Sequence, residues 1–241
     1  METALFFICI ILVASILQTS TGFGFSIMAT PFLLMIFLPK EAIQINLILS
    51  LVISLSLIWK IKADIEFTLL KRFIVGSIVG VPFGILIFIS INMNAFKMGV
   101  SILLLMLTLL LICNFKVKPS QSKDFIVGGI SGLLTTSIGM PGPPLLLYFT
   151  GVGTEKEKLR ATTLAFYLFI YLISLITQII ITGTSKTILE SSLYAIPIVF
   201  IGLFIGQIVF KWINQRIFRL FTYILLSCTG FYLLLESLNF L

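Results

Sequence analysis

The chain has 241 residues, of which 59% are hydrophobic and only 10% charged, with 23 Phe and no His; its mean hydropathy is +1.19. Water-soluble domains carry roughly 25% charged residues, so the composition excludes a soluble globular protein and predicts an all-α polytopic membrane protein with the bilayer as its solvent. The net charge of +7 would suggest nucleic acid in a soluble protein; here the basic residues fall in short loops and set orientation, so no nucleic-acid partner is expected.

In chain order, the first element is the apolar tract Ala4–Leu38, interrupted by polar residues and glycines over Gln18–Ser26. Glu2 stands where a signal peptide would be basic, and no A-x-A site follows, so the tract is read as part of the mature fold. Gln44–Trp59, Phe73–Ile91 and Met98–Cys113 follow as helices, because a bilayer leaves backbone groups no other partner. A polar linker, 115–124, separates them from a second interrupted tract, Phe125–Phe149, broken over Thr135–Pro144. Thr162–Thr182, Ile188–Phe210 and Ile217–Leu235 complete the chain at or near the ~20 residues a spanning helix needs. Cys9, Cys113 and Cys228 lie far apart in apolar runs without metal-ligand spacing and are read as packing residues.

The linker divides an internal duplication, residues 1–114 against 125–241. Ile16-Leu-Gln-Thr-Ser-Thr-Gly22 lies over Leu133-Leu-Thr-Thr-Ser-Ile-Gly139 at an offset of 117, and Lys40-Glu41 over Lys156-Glu157 at 116. Gly80, Gly84, Phe88, Ile91, Asn92, Phe96 and Lys97 lie over Gly202, Gly206, Phe210, Ile213, Asn214, Phe218 and Arg219 at 122. Each half is one broken tract followed by three helices.

Loop charge decides how the halves are related. If each broken tract crosses once, the basic residues divide evenly between the two sides, against the positive-inside expectation. If each tract enters and returns, one side carries only Lys40, Lys97 and Lys186. The other carries Lys60, Lys62, Lys71, Arg72, Lys116, Lys118, Lys123, Lys156, Lys158, Arg160, Lys211, Arg216 and Arg219. The second arrangement makes the halves inverted repeats, with both termini extracytoplasmic and the linker cytoplasmic.

Interrupted helices at matched positions of two repeats point to a transporter binding site. Gly22 and Gly24 permit a sharp turn and a close approach of backbone to ligand. Gly139, Pro141 and Gly142 do the same in the second half, and a helix restarting at each break would aim its positive end there. Gln18, Thr19, Ser20, Thr21, Thr135, Thr136 and Ser137 add neutral hydrogen-bonding groups, and Asn46 and Thr162, at the start of the next helix in each half, complete the candidate substrate-binding set. Such a donor-rich, uncharged pocket suits a small oxyanion. The competing account is that the breaks are kinks whose Ser and Thr hydroxyls satisfy freed carbonyls. Tyr167, Tyr171 and Gln178 are further lining candidates. Arg160 is read as a loop charge beside an entrance. The scattered Ser26, Ser77, Ser101, Ser227 and Thr229 are read as local back-bonding, and the Gly76/Gly80/Gly84 and Gly202/Gly206 spacings as close helix packing. No ionisable residue falls at the centre of a helix, so no carboxylate proton relay is expected, and neither a catalytic set nor a cofactor or metal site is predicted.

The motifs resemble those of the TauE/SafE sulfite exporter family. Gly22-Phe-Gly24 followed by Pro31-Phe-Leu33 resembles the family's first glycine-rich segment, and Gly139-Met-Pro-Gly142-Pro-Pro144 its second. Lys158-Leu-Arg-Ala-Thr-Thr-Leu164 resembles a third stretch. Ser26 replaces the first motif's third glycine, and Pro141 stands where glycine is frequent. The resemblance implies plasma-membrane transport, by export, of sulfite, a sulfonate or a related anion. A channel or a carrier of another small solute, and a non-transporting membrane scaffold or assembly factor, stand as the other readings. The sequence does not indicate an oligomeric state.

Overall fold

A computed structural model describes residues 2–90, 93–113 and 116–212, and beyond these 220, 223–224, 227–228, 230–232, 234–235 and 237–238. The expected helix Ile217–Leu235 therefore lies largely outside the described residues. So do Ile91, Asn92, Ile213, Asn214, Phe218 and Arg219 of the repeat alignment, the loop charge Arg216, and Thr229.

The described residues form α1 (Glu2–Thr21), α2 (Phe25–Leu33), α3 (Pro39–Ile61), a 3-10 turn (Lys62–Asp64), α4 (Phe67–Ser90), α5 (Met93–Ile112), α6 (Gln121–Ile138), α7 (Gly142–Val152), α8 (Lys156–Thr182) and α9 (Lys186–Trp212). Five of these segments are long and apolar enough to cross a membrane. The chain is an all-α, multi-pass membrane protein.

Local chemistry sets the boundaries. Pro39 starts α3, where its missing N–H costs nothing, and Glu41 in the first turn and Lys60 in the last complement the helix dipole. The Ser120 hydroxyl caps α6 by accepting from the Lys123 N–H. Gly139 ends α6 with φ +74°; its N–H donates to the Thr135 carbonyl, and that of Met140 to Leu134. This backbone closure is one that glycine makes without steric cost. The interruptions are shorter than the polar stretches suggest. Only residues 22–24 and 139–141 leave the helical path; the hydroxyls of Thr21, Thr135, Thr136 and Ser137 bond back to carbonyls four residues earlier, an arrangement that a helix tolerates.

Both interrupted tracts enter and return. Phe7, near the start of α1, meets Phe37 edge-on with ring centroids 5.7 Å apart, and Phe6 meets Phe32 at 6.1 Å. In the second tract the Val117 N–H donates to the Gly151 carbonyl at 3.0 Å, and the Tyr148 hydroxyl donates to Asp124. Each short helix thus comes back to the end of the bundle from which its long partner started.

Helix directions follow from glycine contacts. A Cβ placed on Gly76 would lie 2.1 Å from the Phe125 carbonyl oxygen, on Gly80 2.0 Å from that of Gly129, and on Gly84 2.5 Å from that of Leu133. The register advances together, so α4 and α6 run parallel with their backbones in contact. Gly202 and Gly206 advance in the same way along Ser15 and Thr19, so α9 runs parallel to α1. In contrast, Gln44 near the start of α3 bonds the Gly183 carbonyl beyond the end of α8. The Glu66 N–H, beyond the end of α3, bonds Thr162 near the start of α8. Hence α3 and α8 run antiparallel. Each half packs its first helix on the second helix after the broken tract of the other. The loop ends at Lys40 and Lys186 share one end of the bundle, and those at Lys60, Lys116 and Lys156 share the other.

Candidate functional site

The two breaks are built differently. At the first, Gly22 (φ +85°) and Gly24 (φ +119°) take left-handed backbone that disfavours a side chain. α1 stops because the Gly22 N–H still reaches the Gln18 carbonyl at 2.8 Å while the next residues turn away. The Thr21 hydroxyl bonds the Leu17 carbonyl at 2.6 Å and also contacts the Phe23 carbonyl. α2 restarts at once, and its first internal bond is Met28 N–H to Gly24 carbonyl, 3.0 Å. The amides of Phe25, Ser26 and Ile27 are thus left without an intrahelical acceptor.

At the second break α7 carries Pro141 at its cap and Pro143 and Pro144 in its first turn. Proline has no N–H, so Gly142 supplies the one first-turn amide left free. Free amide donors are therefore concentrated at the first break.

The breaks meet. A Cβ on Gly142 would sit 2.8 Å from the Tyr167 hydroxyl, 3.5 Å from Cβ of Phe23 and 3.6 Å from Cδ1 of Ile27. Tyr167 and Tyr171, one turn apart on α8, have ring centroids 5.0 Å apart. The Tyr171 hydroxyl is 2.8 Å from that of Ser26 in the first turn of α2. Ser26 is thus bonded across helices, unlike the local bond expected of it, and Ser101 likewise donates to the Gly230 carbonyl; Ser77 bonds locally, to Ile74.

All of the sequence-predicted site residues are buried, but they divide by role. Asn46 donates to the Gly139 carbonyl at 2.9 Å and so braces the second break from α3. Gln178 donates to the Thr136 carbonyl, and the Thr136 hydroxyl pairs with Ser174 at 2.7 Å. Gln18 reaches from α1 to the Ser50 carbonyl at 3.3 Å. Ser20 bonds back to Leu17. Thr162 turns away from the breaks to the Glu66 amide at 3.0 Å. Buried polar atoms with no partner remain around the breaks, among them the hydroxyls of Thr19 and Thr163, Oδ1 of Asn46 and Nη2 of Arg160.

Arg160 departs from the loop charge expected of it. It lies inside α8 at 7% exposure, because Gly22 lets α8 pass within backbone contact: a Cβ on Gly22 would meet the Arg160 Cα at 2.8 Å. Its Nε–H donates to the Thr19 carbonyl at 2.7 Å, at the C-terminal end of α1. The guanidinium lies 4.2 Å from the centroid of the Phe210 ring.

A cavity of about 450 Å³ opens at the opposite end of the bundle, between α3, α4, the 183–185 loop and Ser137 beside the second break. Gln44 and Phe88 line it. Their counterparts at offsets 116 and 122 are Arg160 and Phe210, which are in contact instead. One end of the molecule thus has a cavity beside its break, and at the other Arg160 lies on Phe210.

A third network braces the second tract. Asp124, 2% exposed, accepts from Nη1 of Arg72 at 2.9 Å and from Tyr148, tying α4, α6 and α7 together. Sequence reasoning missed it. The one available signal was an acid as the last residue of the polar linker, next to the apolar tract.

The family model for the sulfite exporter TauE/SafE matches residues 7–233. Neither a curated protein nor a solved structure matches the chain.

Proposed function

This chain belongs to the TauE/SafE sulfite exporter family, and from that premise we propose that it exports a small sulfur-containing anion such as sulfite or a sulfonate across the plasma membrane. The anion is held where the two broken helices meet. The observation that carries this reading is the contact of the breaks deep in the bundle: Gly142 against Phe23, Ile27 and Tyr167, with the free first-turn amides of α2 beside them. A cluster of helix ends and hydroxyls without an acid suits an anion, since N-terminal amides and the dipole favour negative charge.

The antiparallel course of α3 and α8 supports inverted repeats, residues 1–114 and 125–241. The grouping of Lys60, Lys116 and Lys156 at one end supports a cytoplasmic 115–124 linker and extracytoplasmic termini. The cavity at one end and the Arg160–Phe210 contact at the other differ between the halves, as in a carrier that exposes its site to one side at a time. With the cell interior negative, about 100 mV drives a monovalent anion outward by roughly 2.3 kcal/mol, enough for export without a proton relay.

The test is flux of labelled sulfite from proteoliposomes holding the purified chain. Saturable efflux, accelerated by sulfite on the far side and by an inside-negative potential, is the expected result. Flux no greater than in empty liposomes, for sulfite and for simple sulfonates, refutes the reading.

A further inference from the structure

We infer that Arg160, Thr19 and Thr163 form an anion-binding site at the first break. This inference rests on the transport reading above and names the charged ligand that reading lacks.

Among the described residues, Arg160 is the one charged side chain in the set of buried groups that keep an unpartnered polar atom. Nε is spent on the Thr19 carbonyl and the flat face on Phe210, but Nη2 is buried with nothing to bond. Among the described residues no carboxylate is in ion-pair contact with it; Asp64 acts on it only through space. A buried charge is normally paired, and a guanidinium can offer two parallel donors to an oxyanion.

Two further orphans lie beside it. Thr163 is one turn along α8, three residues on and hence on the same face; its hydroxyl is buried without a partner. The hydroxyl of Thr19 is also buried and unpartnered, on the residue whose carbonyl Arg160 holds. Three donor-capable atoms without partners are thus carried by Arg160, by a residue one turn from it and by the residue it bonds, beside Gly22. Hydroxyls that only satisfied their own helix would bond back to a carbonyl, as those of Thr21 and Thr135 do. One cation and two hydroxyls, all shielded from water, match a small singly charged oxyanion and leave the loaded site neutral. The counterpart of Arg160 in the other half is the uncharged Gln44; the charged residues lining the cavity beside it, Lys40 and Glu41, are not buried as Arg160 is.

Arg160→Gln separates charge from architecture. Glutamine can still donate to the Thr19 carbonyl, so a purely structural role would survive it. The expected result is a KM for sulfite at least tenfold higher, with Arg160→Lys recovering part of the loss. Thr163→Val is the second variant. Removing an unpaired buried hydroxyl is expected to leave thermal stability equal or higher while KM rises several-fold. It stands as the test on its own if Arg160→Gln does not accumulate. Wild-type KM in Arg160→Gln, or in Thr163→Val, overturns the inference. Absence of sulfite and sulfonate flux in the wild-type chain overturns the transport reading, a distinct outcome.

Discussion

Replacing Gly80 by alanine tests the seam between α4 and α6. The added methyl would sit 2.0 Å from the Gly129 carbonyl oxygen and 2.7 Å from the Leu133 amide nitrogen, where ordinary contact begins at 3.4 Å. Both neighbours are backbone, so no side chain can swing aside; the helices must part locally by about 1.4 Å, the difference between those two distances. Interiors are close-packed and absorb little of this. Overpacking of this kind costs about 1–3 kcal/mol. Parting the seam also loosens the contacts at Gly76, Gly84, Gly128 and Gly132, whose added Cβ atoms would meet backbone at 2.1–2.6 Å, at about 0.1–0.2 kcal/mol per atom pair lost. Helix propensity returns about 1 kcal/mol.

The net expectation is a loss of about 2 kcal/mol, or a Tm lower by roughly 4–8 °C for a chain of this size. The assay is thermal unfolding of the purified variants in one detergent, with two controls. A Cβ on Gly99 meets nothing within 4 Å, and one on Gly129 first meets the Gly76 carbonyl at 3.4 Å, so both alanine variants should melt at or slightly above wild type. Gly80→Ala melting together with Gly99→Ala refutes the direct backbone contact and the parallel pairing derived from it.

Three further outcomes follow. Asp124→Asn removes the charge that holds Arg72 and Tyr148; a loss of about 2 kcal/mol is expected in the same unfolding assay, the range for a hydrogen bond to a charged group, and an unchanged Tm refutes it. In a background with the three native cysteines replaced, Ser120→Cys should be labelled only from the cytoplasmic side and Thr184→Cys only from outside; the reverse pattern overturns the proposed orientation. Gly142→Ala should cut sulfite flux about tenfold by pressing its methyl against the Tyr167 hydroxyl at 2.8 Å, and Tyr167→Phe added to it should restore most of that flux; a double variant as slow as the single one refutes this cause.

Much of the architecture was legible because the bilayer removes alternatives. Apolar runs had to be helices, glycines four apart marked the α4–α6 and α1–α9 seams, and the loop charges implied tracts that enter and return. The extent of the breaks was not legible. A run such as Gln18-Thr-Ser-Thr21 reads as broken, yet its polar side chains are accommodated in helix: Gln18 reaches across to α3, and Ser20 and Thr21 bond back to the Leu17 carbonyl. The scarcity of free amides at the second break could have been read directly from Pro141, Pro143 and Pro144. Arg160 was misread because it lies next to a charged loop in sequence. The offset of 116 that pairs Lys40 with Lys156 also pairs Gln44 with Arg160, which places it in the helix after the break. That Gly22 brings α8 onto α1 there is a tertiary fact no spacing reveals.

The asymmetry between the halves bears on how a carrier of this plan is driven. If the repeats are related by inversion, as proposed, they can exchange conformations, and the arrangement around Gln44 and Phe88 is then a template for the end where Arg160 meets Phe210. Opening that end would cost the Thr19 bond and the ring contact, and would leave a guanidinium in need of a partner. An anion arriving from that side supplies the partner, and it offsets the cost only if it carries charge. Closing behind it then needs the guanidinium to return to Thr19 and Phe210, which favours releasing the anion toward the other end. There the counterpart side chain, Gln44, carries no charge to retain it. A ligand shifts such an equilibrium only by its differential affinity for the two states, and the buried charge at one end, absent at the other, is where this chain places that difference.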